Sequence, residues 1–238
     1  MRGTVYVVCA SPERRRAIAG ALRAGRDPPD VRTLSGTLSR FEQHHNSVLV
    51  IDLRDPNPLE PPESPRTGRR FAVAAVILIA TSKQSVPAAW LEVAREANVQ
   101  LLLTPPANAI DEGRLRNAVA QALERSLDRV VAGVLRRCGK RCEALEDVVR
   151  AVLSDPWSIR RPRDVARALT ISLAQLRSIC EPLGLGRIDY VLTYIRRCAY
   201  EFLTFDCHIS SARAFEAVGV RDRSNFRRQV RRARSSNP

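Results

Sequence analysis

The 238-residue sequence predicts an α/β unit built on a parallel sheet, followed by an all-α unit of paired helices. Two patterns point there. Short, β-branched apolar runs alternate with helical stretches as far as residue 106, as a parallel sheet covered on both faces requires. After the SDPWS segment (154–158) that alternation stops, and only helical apolar spacings follow. Charge follows the same division. The chain carries 39 basic and 25 acidic residues, net +14. Residues 1–125 hold 17 and 13 of them, and residues 126–238 hold 22 and 12. The basic excess therefore lies in the C-terminal half, the arrangement of a unit that faces a polyanion.

Each element has a local reason. TVYVVCA (4–10) is the first strand. Ser11 suits an N-cap, Pro12 the first helical position and Gly25 the end of a helix striped by Ala17, Ile18, Ala21 and Leu22. DVRTL (30–34) is a weak second strand, and TLSRFEQHH (37–45) a short helix. SVLVIDL (47–53) is the third strand, followed by a proline- and charge-rich exposed loop (57–70). FAVAAVILIAT (71–81) is the fourth strand, VPAAWLEVAREAN (86–98) a helix, and VQLLLTPP (99–106) the fifth strand. Residues 110–135 are mostly helical.

Several function classes are disfavoured. No apolar stretch approaches the roughly 18–20 residues of a membrane helix, and no basic-then-apolar leader opens the chain, so a cytoplasmic location away from membranes is expected. Six cysteines (9, 138, 142, 180, 198, 207) are scattered rather than framed, and are expected to be reduced. Cys138 and Cys142 stand four apart on one possible helix face without a histidine nearby, which makes a poor zinc site. There is no phosphate loop and no nucleophile–base pairing; His208 beside Cys207 reads as incidental. Neither an enzyme nor a cofactor is expected.

Asp52 ends the third strand, where open α/β sheets place their sites. In order, length and spacing, residues 1–125 resemble the receiver domain of bacterial response regulators, a flavodoxin-like parallel sheet. The resemblance implies that Asp52, with Pro56 four residues later, stands where that family carries its phosphoryl acceptor. The family's two Mg²⁺-holding acidic residues are here Cys9 and Ala10. Its Ser/Thr after strand four is Ala80, or Thr81 with a one-residue slip. Its lysine before proline is Thr104, before Pro105. Phosphoryl transfer needs a cation over the phosphoryl oxygens, and Mg²⁺ needs oxygen ligands, which a thiol and a methyl do not supply. The expectation is a pseudo-receiver, phosphorylation-independent, that serves dimerisation, docking or sensing of a ligand or protein signal. Asp55 offers an alternative acidic pair with Asp52.

Residues 126–144 read as a helical linker. Leu115, Val119 and Ala122, then Leu123, Leu127, Val130 and Val134, follow heptad-like spacings. The first part suits packing on the sheet, and the continuation a signalling helix or a two-stranded coil that holds a homodimer.

Residues 145–238 form the helical unit. PRDVARALTISLAQLRSICE (162–181) reads as helix, tight turn, helix, closed by Val165, Ala166, Leu169, Ile171, Leu176 and Ile179, with Ser172 capping the second helix. A long helix (188–205) follows, lined by Val191, Leu192, Ile195, Ala199, Phe202 and Leu203. Residues 210–234 repeat the theme, with Gly219 at the turn, Asp222 as cap, and Val218, Val220, Phe226 and Val230 inward. The run Gly219-Val220-Arg221-Asp222-Arg223-Ser224-Asn225-Phe226-Arg227-Arg228 resembles the second unit of the AraC-type double helix-turn-helix DNA-binding domain, and Arg196 or Arg197 with Ala199 matches its linking helix. Thr170 departs from the family's usual turn glycine, and Phe215 from its usual small alanine. Helix-turn-helix units put the second helix in the major groove. With Leu173, Leu176 and Ile179 inward, Ala174, Gln175, Arg177 and Ser178 face out. Gln175 suits adenine and Arg177 guanine. In the second unit Asn225 suits adenine and Arg223 and Arg227 guanine, with Ser224 and Arg228 beside them; Arg231, Arg232 and Arg234 suit phosphates. A linking helix of about 24–27 Å suits successive major grooves about 34 Å apart.

The expected function is a sequence-specific DNA-binding transcription regulator acting on double-stranded DNA as a homodimer. The alternative is a receiver-like adaptor whose basic helices bind a protein or RNA partner.

Overall fold

The computed structural model describes residues 3–24, 28–34, 47–54, 75–88, 90–91, 99–104, 110–139, 142–185 and 187–228. The chain divides into two compact units, residues 2–126 and 127–238.

Five strands form the sheet of the first unit: β1 (Thr4–Val8), β2 (Asp30–Leu34), β3 (Ser47–Asp52), β4 (Ala75–Ala80) and β5 (Val99–Leu103). All neighbours are parallel, in the order β2-β1-β3-β4-β5. That is the flavodoxin-like, doubly wound order, whose ligand crevice lies outside the carboxyl ends of β1 and β3. The central β3 and β4 are buried along their whole length, while the edge strands β2 and β5 are only partly covered. This explains why SVLVID and AVILIA read as continuous apolar runs rather than alternating ones. The period-2 alternation sorts their side chains between two cores. Val5, Val7, Val48, Val50, Ile77 and Ile79 join one, and Tyr6, Val8, Leu49, Ile51, Val76, Leu78 and Trp90 the other.

Helix α1 (Pro12–Arg23) starts as expected: Ser11 Oγ accepts from Arg14 N at 3.4 Å, with Pro12 in the first turn. Its buried residues are Ile18, Ala19, Ala21 and Leu22, so Ala19 replaces the expected Ala17, which is exposed. Ile18 and Leu22 set the buried face, and Ala19 lies one 100° step beside Ile18 on it, whereas Ala17 is turned away. The expected helix at 37–45, the loop at 57–70, residues 71–74, Asp55 and Gly25 lie outside the described residues, as does most of the 86–98 helix.

Helix α2 (Glu112–Cys138) belongs to both units by sequence. In the first, Leu115, Ala118, Val119 and Ala122 pack into the sheet core. Beyond it, Val130, Val131, Val134, Leu135 and Cys138 are buried. The heptad-like residues Val130 and Val134 are therefore interior, not an open seam for a second strand. Cys138 ends α2, and Cys142 is the N-cap residue of α3 (Glu143–Ser154), so the two thiols do not share a helix face.

The second unit continues with α4 (Pro162–Ala168), α5 (Leu173–Cys180), α6 (Ile188–Glu201), α7 (Ser211–Ala217) and α8, described over 223–228. A five-residue π turn (Phe202–Asp206) extends α6. Val191, Leu192, Ile195, Ala199, Phe202 and Leu203 are buried as the spacing predicts, joined by Cys198.

Candidate functional site

Asp52 closes β3 with its carboxylate fully buried. The register sets Val8 beside Ile51, which brings Cys9 next to it. The Cys9 thiol lies 3.9 Å from Oδ2. The carboxylate is held by Arg54, whose Nε donates to Oδ1 at 2.8 Å and Nη2 to Oδ2 at 2.7 Å, a two-pronged fork. Arg54 N adds a third bond to Oδ1 at 3.1 Å, and Nη1 donates to Thr104 Oγ1 at 3.3 Å. Only 5% of the Arg54 side chain meets solvent. The hydrogen bonds from Arg54 to Asp52 hold its guanidinium above the ordinary value against the opposing effect of burial. Thr104, at the position of the missing lysine, is buried, and its N donates to Ala80 O at 2.9 Å. Ala80 is buried at the end of β4, while Thr81 is exposed and donates to Ser85 Oγ.

Arg54 is the residue that sequence reasoning missed. Its signal was period 2: residue i+2 of a strand points to the same face as residue i. Leu53 N still donates to Ile79 O at 2.9 Å, so the strand geometry runs one residue past β3 and aims Arg54 back at Asp52. An internal cation therefore stands against the carboxylate where the resemblance implied a metal-assisted acceptor.

The second unit contains two helix pairs with the same turn. In the first, Ile171 N donates to Ala166 O and Thr170 N to Arg167 O. In the second, Val220 N donates to Phe215 O and Gly219 N to Glu216 O. These are the 6→1 and 5→2 bonds of a Schellman motif, with Thr170 (φ 56°) and Gly219 (φ 70°) in the left-handed region. Each second helix is then capped. Ser172 Oγ accepts from Gln175 N, and Gln175 Oε1 accepts from Ser172 N at 2.8 Å, a capping box. Asp222 Oδ1 accepts from Asn225 N at 2.8 Å. Glycine at 219 is required twice over, because a Cβ there would stand 2.3 Å from the Pro156 carbonyl oxygen. Arg196 donates to that same oxygen at 2.8 Å and also to Ile159 O, tying α6 and the second turn to one loop.

Not every outward residue is where the spacing put it. On α5, Leu176 and Cys180 are buried and Ile179 half-buried, but Leu173 is 50% exposed because it occupies the first helical position, beyond the packed turn. Ala174, Gln175, Arg177 and Ser178 are exposed as expected, but Gln175 spends its carbonyl oxygen on the cap. Arg177 and Ser178 border a cleft of about 450 Å³, floored by Cys180, Leu185, Ile188 and Val191. On α8, Phe226 is buried, while Arg223, Ser224, Asn225, Arg227 and Arg228 are exposed. Arg223 and Arg227 lie over the Phe215 ring at 5.5 and 5.9 Å. Phe215, where a small residue was expected, stacks on Tyr200 at 4.5 Å and meets Phe226 edge-on at 5.9 Å. An aromatic trio thus does the work of close helix packing. Val230, Arg231, Arg232 and Arg234 lie outside the described residues.

No protein-family model and no curated protein matches the chain. Solved structures do. Full-length FixJ from B. japonicum aligns with a TM-score of 0.40 and 13% identity, over 99% of this chain and 98% of that one. The response regulator StyR gives 0.39 and 15%, over 98% and 100%. The response regulator ChrA of a heme-sensing two-component system gives 0.37 and 17%, over 98% of each. At such low scores the class rests on the strand order and helix geometry above: a flavodoxin-like α/β unit joined in sequence to an all-α unit.

Proposed function

We propose that the protein is a DNA-binding transcription regulator, in which a phosphorylation-independent receiver-like unit governs an AraC-type pair of helix-turn-helix elements. The observation that carries this reading is the repeated turn: two Schellman motifs, each followed by a capped helix with exposed arginine and amide side chains. Helices of this kind present their first turns to base edges in the major groove. Arg177 and Ser178 on α5, and Ser224, Asn225 and Arg228 on α8, are the residues for base edges and nearby phosphates. Arg223 and Arg227 reach DNA from their perch on Phe215. Gln175 acts first as a cap, and reading adenine with both amide atoms requires opening a bond of the kind whose loss costs about 0.5–2 kcal/mol. Arg231, C-terminal to these, suits a phosphate. The fork of Arg54 on Asp52, which pairs that carboxylate with an internal cation, supports independence from phosphorylation.

The test is in vitro selection by the full chain from random duplex DNA at near-physiological salt. The expected outcome is a two-part motif, with paired copies if the protein acts as a homodimer. Arg177→Gln and Arg228→Gln should each weaken binding and relax one part of the motif. Pools that stay random while binding remains salt-sensitive would sink the proposal and favour a basic adaptor for a protein or RNA partner. Radiolabel transferred from a small phosphodonor with Mg²⁺, and lost in Asp52→Ala, would overturn the phosphorylation-independent part alone.

A further inference from the structure

We infer that Arg196 is a positioning residue: through the loop 155–161 it fixes the second helix pair against the first, and so sets the gap between the two parts of the DNA site. The inference rests on the DNA-binding reading. It concerns the second unit alone, where α4 and α7 both pack on α6. Packed helices can still slide against one another by small steps, and a third tie removes that freedom.

The loop meets both pairs. At its start, a Cβ on Gly219 would stand 2.3 Å from the Pro156 oxygen, and the Arg221 guanidinium lies over the Trp157 ring at 5.4 Å, so the second turn rests on residues 156 and 157. At its end, Asp164 of α4 accepts from Arg160 N at 3.0 Å and from Arg161 N at 2.8 Å, which joins the loop to the first pair. In between, the loop is closed by its own bonds: Ser158 N and Ile159 N donate to Asp155 O, and Arg160 Nε donates to Trp157 O at 3.0 Å. Arg196 reaches it from α6, and Nη2 donates to Pro156 O at 2.8 Å and to Ile159 O. One guanidinium therefore holds the loop on both sides of Trp157.

This is a costly way to gain stability. Arg196 Nε is buried without a partner, and no carboxylate faces the group, among the described residues. Burial, and then the charge of Arg160, push the guanidinium below its ordinary value. A buried charge without a counter-charge costs free energy. What it supplies here is geometry, because one group reaches two carbonyls at once.

The test uses the full chain in three forms: wild type; Arg196→Met, which keeps the apolar stem and removes both bonds; and Arg196→Lys, which keeps a charged donor on a shorter stem. Each is offered duplexes that carry the selected two-part motif with the gap lengthened or shortened one base pair at a time, which turns one part by about a tenth of a helical turn. The wild type should prefer one gap. Arg196→Met should bind several gaps alike while still preferring the same sequence in each part, and Arg196→Lys should fall between. A general loss of stability would weaken all gaps equally and leave the preference intact. A second readout needs no DNA. Spin labels at Ala174→Cys on α5 and Ser224→Cys on α8 report the distance between these helices by double electron–electron resonance. Cys142→Ser removes the exposed native thiol, and the other five cysteines are buried. The distance distribution should be narrow with Arg196 present and broad or displaced in Arg196→Met. If that variant fails to fold, Asp164→Ala frees the other end of the loop and should broaden it likewise. An unchanged distribution, or a gap preference that survives Arg196→Met, overturns the inference. A wild type that selects no motif sinks the DNA-binding reading instead, and the distance distributions then decide the positioning role of Arg196 alone.

Discussion

The two Schellman turns invite opposite responses to substitution. Thr170 holds φ at 56°, a conformation in which a β-branched side chain costs about 1–2 kcal/mol. Replacing it with glycine relieves that strain but raises the conformational entropy of the unfolded chain, which costs about 0.5–1 kcal/mol. The net expectation for Thr170→Gly is stabilisation by up to about 1 kcal/mol. Gly219 holds φ at 70°, but its Cα also lies against Pro156, so Gly219→Ala adds a Cβ 2.3 Å from a carbonyl oxygen. That backbone must retreat, and it takes with it the Arg196 bond at 2.8 Å, of a kind that contributes about 1.5–3 kcal/mol. Together with the left-handed penalty, the expected loss is about 3 kcal/mol or more. Urea melts followed by Trp157 emission suit the comparison, because Trp157 adjoins Pro156 and lies under Arg221 at 5.4 Å. If Gly219→Ala melts like the wild type, or Thr170→Gly loses more than Gly219→Ala, the shared-turn reasoning is wrong.

Arg54→Met should cost about 3–5 kcal/mol, because it leaves the Asp52 carboxylate buried without a counter-charge. Adding Asp52→Asn should recover part of that loss, and a double-mutant cycle measures the coupling. Gly133→Ala should destabilise by about 1–3 kcal/mol through the clash with Phe202; pairing it with Phe202→Leu should ease the loss in thermal melts. Phe215→Ala should cost about 3–5 kcal/mol by emptying the centre of the aromatic trio. Backbone N–H groups of Arg160 and Arg161 hold the Asp164 carboxyl below its ordinary value. Its folded pKa lies below the unfolded one, so the stabilisation is complete above about pH 4 and fades as pH falls through the folded value. Stability measured from pH 5 down to pH 2 should therefore fall less steeply in Asp164→Asn than in the wild type.

Much of the fold was legible because it is written in short periods. Val48 to Ile51 and Ala75 to Ile79 announce central strands because both faces are covered. Ser11, Ser172 and Asp222 mark helix starts because their side chains reach only a few residues. Gly219 marked its turn, and Thr170 was placed correctly despite its residue type, because the flanking apolar spacing locates the turn. The stripe on α2 was harder to read, because heptad-like spacing looks the same whether its cover is another chain or the same one: Val130 and Val134 are buried within this chain, while Leu123 and Leu127 are half-buried.

The sequence alone determined the order of the two units, the strand-end address of Asp52 and the positions of both tight turns, since backbone geometry and nearest neighbours decide these. Only the tertiary structure decided what meets what. It turned Arg54 onto Asp52, set Phe215 between Tyr200 and Phe226, and brought the end of α2 against α6 so that Gly133 meets the Phe202 ring and Arg137 pairs with Glu201. Those contacts depend on side-chain reach and exclusion of water between residues distant in the chain or across a strand end, and local periodicity does not encode them.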